Sequence, residues 1–450
     1  MKLTLLGAGV RVPFVLRGLA ERRDLGLTEV VLHDIDQDRL ELMGALGAHL
    51  TTTWGAPYDV RADPDLRAAI AGASFVYSAV RPGQEAARVV DEEVPLALGV
   101  LGQETTGPGG FAMAMRTVPA MLAHARAIEE VAPDALLICF TNPVGIVTQA
   151  VRDHTSVRVV GICDGPSSMH RSVAAFLGRP REQVHVDYAG LNHCGWIHRV
   201  LVDGRDRLPE LLDRYEELAS ADHQWRLFDP TLVRRIGMLP MEYLSFFYEP
   251  ERTVANIRAS GESRAIQLQA LNDALWRSLR ERIEAGDMPG AVAAWERAIA
   301  ERGATYFARE LGEGRGADTD DVFDDEGYQG VAGAVMTAAV HDRPATLILD
   351  TVNRGAIATL GDDDVVEVTS VSDRHGAHAL AQGELPAHAT DLLERVKAYE
   401  RLTVEAAVTG SAAAARDALT QHPLVARADL ASQLVDRYVE AYAGLWPALS

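Results

Sequence analysis

The sequence predicts an α/β chain, with a doubly wound parallel sheet over residues 1–165 and a second, helix-rich α/β or α+β domain over residues 166–450. Three observations carry this. Short apolar runs alternate with helical stretches through the first part; a glycine turn, Gly7-Ala8-Gly9, follows the first run; beyond Asp164 long helical patterns take over, with a few strands among them. Runs that are apolar at nearly every position belong to strands covered on both faces, as in parallel sheets flanked by helices. The first part is therefore expected to be Rossmann-like.

In order, the apolar runs fall at residues 3–6, 30–32, 75–80, 135–140 and 157–162, and helices are expected at 13–21, 38–50, 85–98 and 111–131. Ligands of such sheets sit beyond the carboxyl ends of the strands. The residues that follow the runs are thus the ones that matter: Gly7, Asp34, Arg81, Asn142 and the pair Cys163-Asp164. In the second part strands are expected at 184–191, 197–202, 345–349 and 365–368, a solvated Gly- and Asp-rich loop at 313–327, and closing helices from His388 onward.

Charge narrows the partners. Against 43 Lys and Arg stand 64 Asp and Glu, a net charge of −21, which disfavours nucleic acid and anionic membrane surfaces. An anionic substrate has to be met by a local group of cations. No run of 18 apolar residues occurs, so no membrane span is expected. The three cysteines, Cys139, Cys163 and Cys194, lack C-x-x-C spacing, and residues 1–9 read as a strand and turn rather than a signal peptide. Both point to a cytoplasmic protein without disulfides.

A glycine turn between a strand and a helix lets backbone amides approach a pyrophosphate at the helix N-terminus. Gly7, Gly9, Val10 and Arg11 supply that turn, although Val12 stands where a third glycine of the G-x-G-x-x-G pattern would fall. Asp34 ends the second run, where an acid accepts hydrogen bonds from an adenosine ribose and repels a 2′-phosphate, favouring NAD over NADP. The plain alternative is a tight turn without a ligand. Arg81 can clamp a carboxylate or phosphate, or simply pair with a neighbouring acid. The turn-rich stretch from Gly102 to Gly110 either lines the nicotinamide end of a site or is an elaborate connection.

Cys163 and His193 each follow a predicted strand, and a thiolate with an imidazole can bind a divalent ion whose other positions go to substrate oxygens and water. Taken singly, a strand-end Cys is usually a small buried hydrophobe and a lone His a satisfied structural one. The aromatic stretch around Tyr243 would ordinarily be core packing. Spacing alone leaves these alternatives open.

The motifs in sequence order are GAGVRVP, VRPGQ with Arg81, GQETTGPGG, TNPVG with Asn142, GICDGP with Cys163 and Asp164, GLNHCGW with His193, and YLSFFY beginning at Tyr243. Together they resemble the family 4 glycoside hydrolases, from Leu3 to about Val425. That family is the NAD-dependent exception to hydrolysis by two carboxylates.

The resemblance implies a cycle in which NAD+ removes hydride from carbon 3 of the glycosyl unit and so acidifies the carbon 2 proton. Mn2+ or another divalent ion at Cys163 and His193 polarises the sugar oxygens. Tyr243 takes the carbon 2 proton, Asp164 is the proton donor to the departing aglycone, water adds at carbon 1, and the hydride returns. Arg81 and Arg264 resemble contacts to a 6-phosphate, and Asn142 a contact to sugar hydroxyls; for Arg264 the alternative is an ordinary helix-surface arginine. Asp164 also suits the 6-phospho-α-glucosidase branch, whereas GAGVRVP, VLHDID and QGELP look closer to the 6-phospho-β-glucosidases, which is the expected specificity. The substrate is then a phosphorylated disaccharide or glycoside, and a homodimer or homotetramer is implied. Two competing readings are a 2-hydroxy-acid dehydrogenase, to which the first half is similar, and a non-catalytic NAD sensor. Cys163, His193 and Tyr243 in family order count against both.

Overall fold

The computed structural model describes residues 1–312 and 327–450. The predicted loop at 313–327 lies almost wholly outside the described residues. The first six strands are β1 (Lys2–Leu6), β2 (Glu29–His33), β3 (Asp59–Ala62), β4 (Phe75–Ser78), β5 (Leu136–Cys139) and β6 (Arg158–Gly161). They pair in parallel in the order β3-β2-β1-β4-β5-β6. This is the doubly wound arrangement of the Rossmann fold. β1 and β4 are buried almost throughout because helices cover both faces, whereas β3 is an edge strand with Asp59, Arg61 and Ala62 exposed. A strand with one side in water leaves no apolar run, which is why β3 has no counterpart in the predicted strands.

The sheet does not end at β6. Seven more strands follow: β7 (Val184–Leu191), β8 (Cys194–Val202), β9 (Arg205–Asp206), β10 (Leu239–Pro240), β11 (Ala345–Val352), β12 (Val365–Asp373) and β13 (Gly376–Ala379). β11 lies antiparallel against β6 through Asp350 and Gly161, and the order continues β12-β7-β8-β10. Residue 165 falls where β6 gives way to the helix Gly165–Phe176, so the two parts of the chain share one sheet.

Helices of the second part also return to the first. In the helix Met288–Ala304, Trp295 is fully buried, donates its indole N–H to the Val10 carbonyl at 2.8 Å, and sets its ring 5.3 Å from Phe14. In the helix Tyr328–His341, Tyr328 stacks on Phe140 at 4.6 Å. The helices Ala387–Thr409, Ala412–Gln421 and Ala428–Ala441 close the other side. Among the described residues no helix is long and apolar enough to cross a membrane.

Candidate active site

A cavity of about 890 Å³ opens at the carboxyl ends of the parallel strands, and every site residue singled out from the sequence lines it: Gly7, Gly9, Val10, Arg11, Asp34, Arg81, Asn142, Cys163, Asp164, His193, Tyr243 and Arg264. The fold brings them there from both parts of the chain.

The glycine turn comes first. Gly7 has φ of +103°, and a Cβ there would sit 2.6 Å from the Ala79 carbonyl oxygen. A Cβ on Gly9 would meet nothing within 4 Å. One glycine is therefore required by the fold and the other leaves an open cradle in the cavity wall, as a pyrophosphate needs. Asp34 accepts from the Ala8 amide at 2.7 Å and the Asp36 amide at 2.9 Å, which ties its carboxylate to the turn. Beside it Ile35 is 85% exposed, an apolar face at the cavity rim. Gly7→Ala should destabilise the fold by more than about 2 kcal/mol, from the left-handed backbone and the carbonyl clash together. Gly9→Ala should melt like the native protein but lose NAD+ affinity in a fluorescence titration. Unchanged NAD+ binding in Gly9→Ala would remove the cradle reading.

Cys163 follows β6, and Asp164 stands just before the next helix without capping it, its carboxylate 3.8 Å from the Arg11 guanidinium. His193 sits in the two-residue turn between β7 and β8 with φ of +63°, a left-handed conformation that is uncommon for a non-glycine residue. Its Nδ1 lies 2.8 Å from Thr105 Oγ1. The Thr105 hydroxyl donates to Gln103 Oε1 at 3.0 Å, so Oγ1 accepts from the His193 Nδ1–H and Nε2 is left with its lone pair. Gln103 Oε1 is itself held by the Thr105 and Thr106 amides, each at 2.6 Å. The turn-rich stretch from Gly102 is thus a support that fixes the tautomer of His193. Burial holds His193 down to about 4, in its neutral form.

Cys163 and His193 line the same cavity, and a thiolate with an imidazole would offer a divalent ion two donors there. Among the described residues no group of three His, Cys, Asp or Glu side chains forms a complete metal cluster. Substrate oxygens and water are needed to finish the coordination.

β10 explains how Tyr243 arrives. It pairs antiparallel with β8, Leu239 opposite Ile197 and Pro240 opposite Trp196, and the Met241 amide continues the ladder to the Gly195 carbonyl at 3.0 Å. Extending that register sets Tyr243 against His193, and their rings stack with centroids 3.9 Å apart. Phe246 and Phe307 meet the Tyr243 ring edge-on at 5.8 and 5.6 Å. Burial, followed by the nearby Glu242, pushes the Tyr243 phenol well above its ordinary value.

The cationic wall differs from a pair of free arginines. Arg81 is ion-paired to Glu104 at 2.6 Å, and Arg88 reaches the same carboxylate at 3.0 Å. Against the cost of burial, these two arginines hold Glu104 down to about 2. Arg264 is half-buried, with its guanidinium bonded to Gln267, Thr305 and the Arg302 carbonyl. Arg302 has no hydrogen bond or ion pair from its guanidinium among the described residues; burial and the neighbouring Arg11 and Arg88 push its pKa below the usual range. Asn142 Oδ1 is likewise buried without a partner. Sequence reasoning gave no role to Arg302, Glu104, Glu242, Tyr306 or Thr105. Glu104 and Thr105 lie inside a motif, but nothing local marks Arg302 or Tyr306, which reach the cavity by tertiary packing.

This geometry has known counterparts. The model of the family described as family 4 glycosyl hydrolase matches residues 2–179, and that of the family 4 glycosyl hydrolase C-terminal domain matches residues 188–425. The chain belongs to family 4 of the glycosyl hydrolases. It is 29% identical to a probable 6-phospho-β-glucosidase of Bacillus subtilis over 99% of this chain and 97% of the relative. The 6-phospho-β-glucosidase of Thermotoga maritima, solved with manganese, NAD+ and glucose 6-phosphate, superposes with a TM-score of 0.82 at 25% identity, covering 99% of each chain. A 6-phospho-α-glucosidase from gut microorganisms, solved with NAD and Mn2+, gives 0.84 at 26% identity over 100% of this chain and 99% of that one.

Proposed function

We propose that this chain hydrolyses 6-phosphoglucosides by the redox-assisted elimination and addition expected from its motifs, with β-glucosides as the preferred anomer. The observation that carries this is the stack of Tyr243 on His193 in the same cavity as the glycine turn and Cys163. Bound there, NAD+ would supply hydride transfer at carbon 3 and a divalent ion would supply polarisation of the sugar oxygens. Gly7, Gly9, Val10, Arg11 and Asp34 hold the cofactor; Cys163 and His193 hold the metal. Asn142 offers its buried Oδ1 to a sugar hydroxyl, and the arginines of the wall meet the phosphate. Tyr243 removes the carbon 2 proton, and Asp164 delivers a proton to the leaving oxygen.

Asp164 also suits an α-glucosidase, since an acid at that place can assist departure of either anomer. A panel of α- and β-linked aryl glycosides, with and without 6-phosphate, separates the two. Faster turnover of the β-linked 6-phosphate is expected, and exclusive use of the α-linked compound would reassign the specificity. Net reduction of NAD+ by a 2-hydroxy acid would point instead to a dehydrogenase.

Chelation should abolish activity and Mn2+ restore it. Cys163→Ser and His193→Ala should bind Mn2+ at least tenfold more weakly by electron spin resonance titration, with native melting curves. Thr105→Val should also weaken the metal through His193, by about 10- to 100-fold, the typical contribution of partners of metal ligands to affinity. A chelator-resistant enzyme, fully active in either ligand variant, would return Cys163 and His193 to structural roles.

A further inference from the structure

A second phenol in the cavity is left idle by this reaction scheme. Tyr306 follows the helix Met288–Ala304, and its Oη lies 3.2 Å from Tyr243 Oη and 2.6 Å from Glu242 Oε1. The three side chains all line the cavity. They form one chain of oxygens, Tyr243 to Tyr306 to Glu242, in which the neighbour of the base in sequence is also the end of its hydrogen-bond chain.

The proton inventory of this chain is restrictive. A phenol carries one proton to donate, and a carboxylate can only accept. With Glu242 ionised, the Tyr306 proton is committed to Oε1, and Tyr306 Oη must accept the proton of Tyr243. The same two protons can also leave the charge at the far end of the chain. Glu242 as a carboxylic acid donates to Tyr306, and Tyr306 donates to a Tyr243 phenolate. Passing from the first to the second breaks the O–H bonds of Tyr243 and Tyr306 and forms O–H bonds on Tyr306 and Glu242. One proton moves from Tyr243 to Glu242, charge is conserved, and no further reactant is required. Neither distance has to change by more than the adjustment of a hydrogen bond.

We infer that Tyr306 and Glu242 form a proton relay that prepares Tyr243 as the base and stores its proton on the Glu242 carboxylate. The inference rests on Tyr243 being the base for carbon 2. A phenolate then takes the carbon 2 proton; once Glu242 has released its stored proton to water in the cavity, the carbon 2 proton passes along the same chain and exchanges before a proton returns to carbon. The packing favours a fixed path: Tyr306 meets Phe307 edge-on at 4.8 Å, while Tyr243 is clamped between His193 and the Phe246 and Phe307 rings. Tyr306 and Glu242 are positioning and relay residues, acting through Tyr243.

The test compares Glu242→Gln, Tyr306→Phe and Tyr243→Phe in the holoenzyme with NAD+ and Mn2+. Glu242→Gln is the decisive variant, because an amide oxygen still accepts from Tyr306 but cannot take a proton. Readouts are kcat and KM on an aryl 6-phosphoglucoside, deuterium incorporation at carbon 2 of glucose 6-phosphate in deuterated water, NAD+ affinity and the melting temperature. The relay requires Glu242→Gln and Tyr306→Phe to lose roughly 10²-fold or more in kcat and in carbon 2 exchange, with KM, NAD+ affinity and melting near native. Native exchange and kcat in Glu242→Gln, with Tyr243→Phe inactive, overturns the relay and leaves Tyr243 as the base. Full activity in Tyr243→Phe overturns the base assignment itself. Should Tyr306→Phe melt early, Glu242→Gln alone decides.

Discussion

Tyr243→Phe is expected to retain NAD+ and Mn2+ and to lose most of its turnover, by about 10² to 10⁴, the usual contribution of a positioned general base. The substitution deletes one hydroxyl. The stack on His193 and the edge contacts to Phe246 and Phe307 involve the ring and are kept, so the loss falls on kcat rather than on binding or folding. Native enzyme in deuterated water places deuterium at carbon 2 of the product, because the abstracted proton exchanges before water adds. Displacement at carbon 1 by two carboxylates leaves that position untouched. Product without carbon 2 deuterium, from an enzyme indifferent to NAD+ removal, would falsify the elimination mechanism.

The 6-phosphate is the second large effect. Charge-assisted hydrogen bonds contribute about 1.5–3 kcal/mol each, so two such contacts favour the phosphorylated substrate by roughly 10² to 10⁴ in kcat/KM. In a chain of net charge −21 that preference needs a dedicated cationic wall. Arg302, whose guanidinium makes no hydrogen bond or ion pair among the described residues, is its sharpest probe, whereas Arg81 already shares Glu104 with Arg88. Arg302→Met and Arg81→Ala should each depress kcat/KM for the phosphorylated glycoside tenfold or more and leave the unphosphorylated one near its low native value. Equal native turnover of both sugars would sink the phosphate assignment, and an unaffected Arg302→Met would move the phosphate away from that side chain.

The sequence carried much of this fold because of where burial is complete. β1, β4 and β5 are buried at nearly every position, sealed on both faces, and they stand out as runs; β3, half in water, does not. β10 is two residues long, too short for any periodicity, yet its pairing with β8 is what delivers Tyr243 to His193. The ordered motifs named the residues, and spacing alone said little about Cys163 with His193. Thr105 lay inside a quoted motif, but its function depends on Gln103 fixing the direction of one hydroxyl proton. Arg302 and Tyr306 follow no local pattern. Each lies at or just beyond the end of a helix whose partner, the glycine turn, is nearly three hundred residues earlier, as the bond from Trp295 to Val10 records.

That bond, and the sheet running unbroken from β3 to β10, also decide how the cofactor lives in the protein. The cleft's floor is a single ladder of strands, and the glycine turn is bolted by an indole to a helix of the second part. A dehydrogenase must release its oxidised or reduced carrier after every event, and an opening motion serves it. A cycle that hands the hydride back has no such need. In the proposed cycle the carrier would stay as a lodger through many substrates, and the stiffness of the frame would be an advantage, keeping carbon 3 at the same distance from it when the hydride leaves and when it comes home.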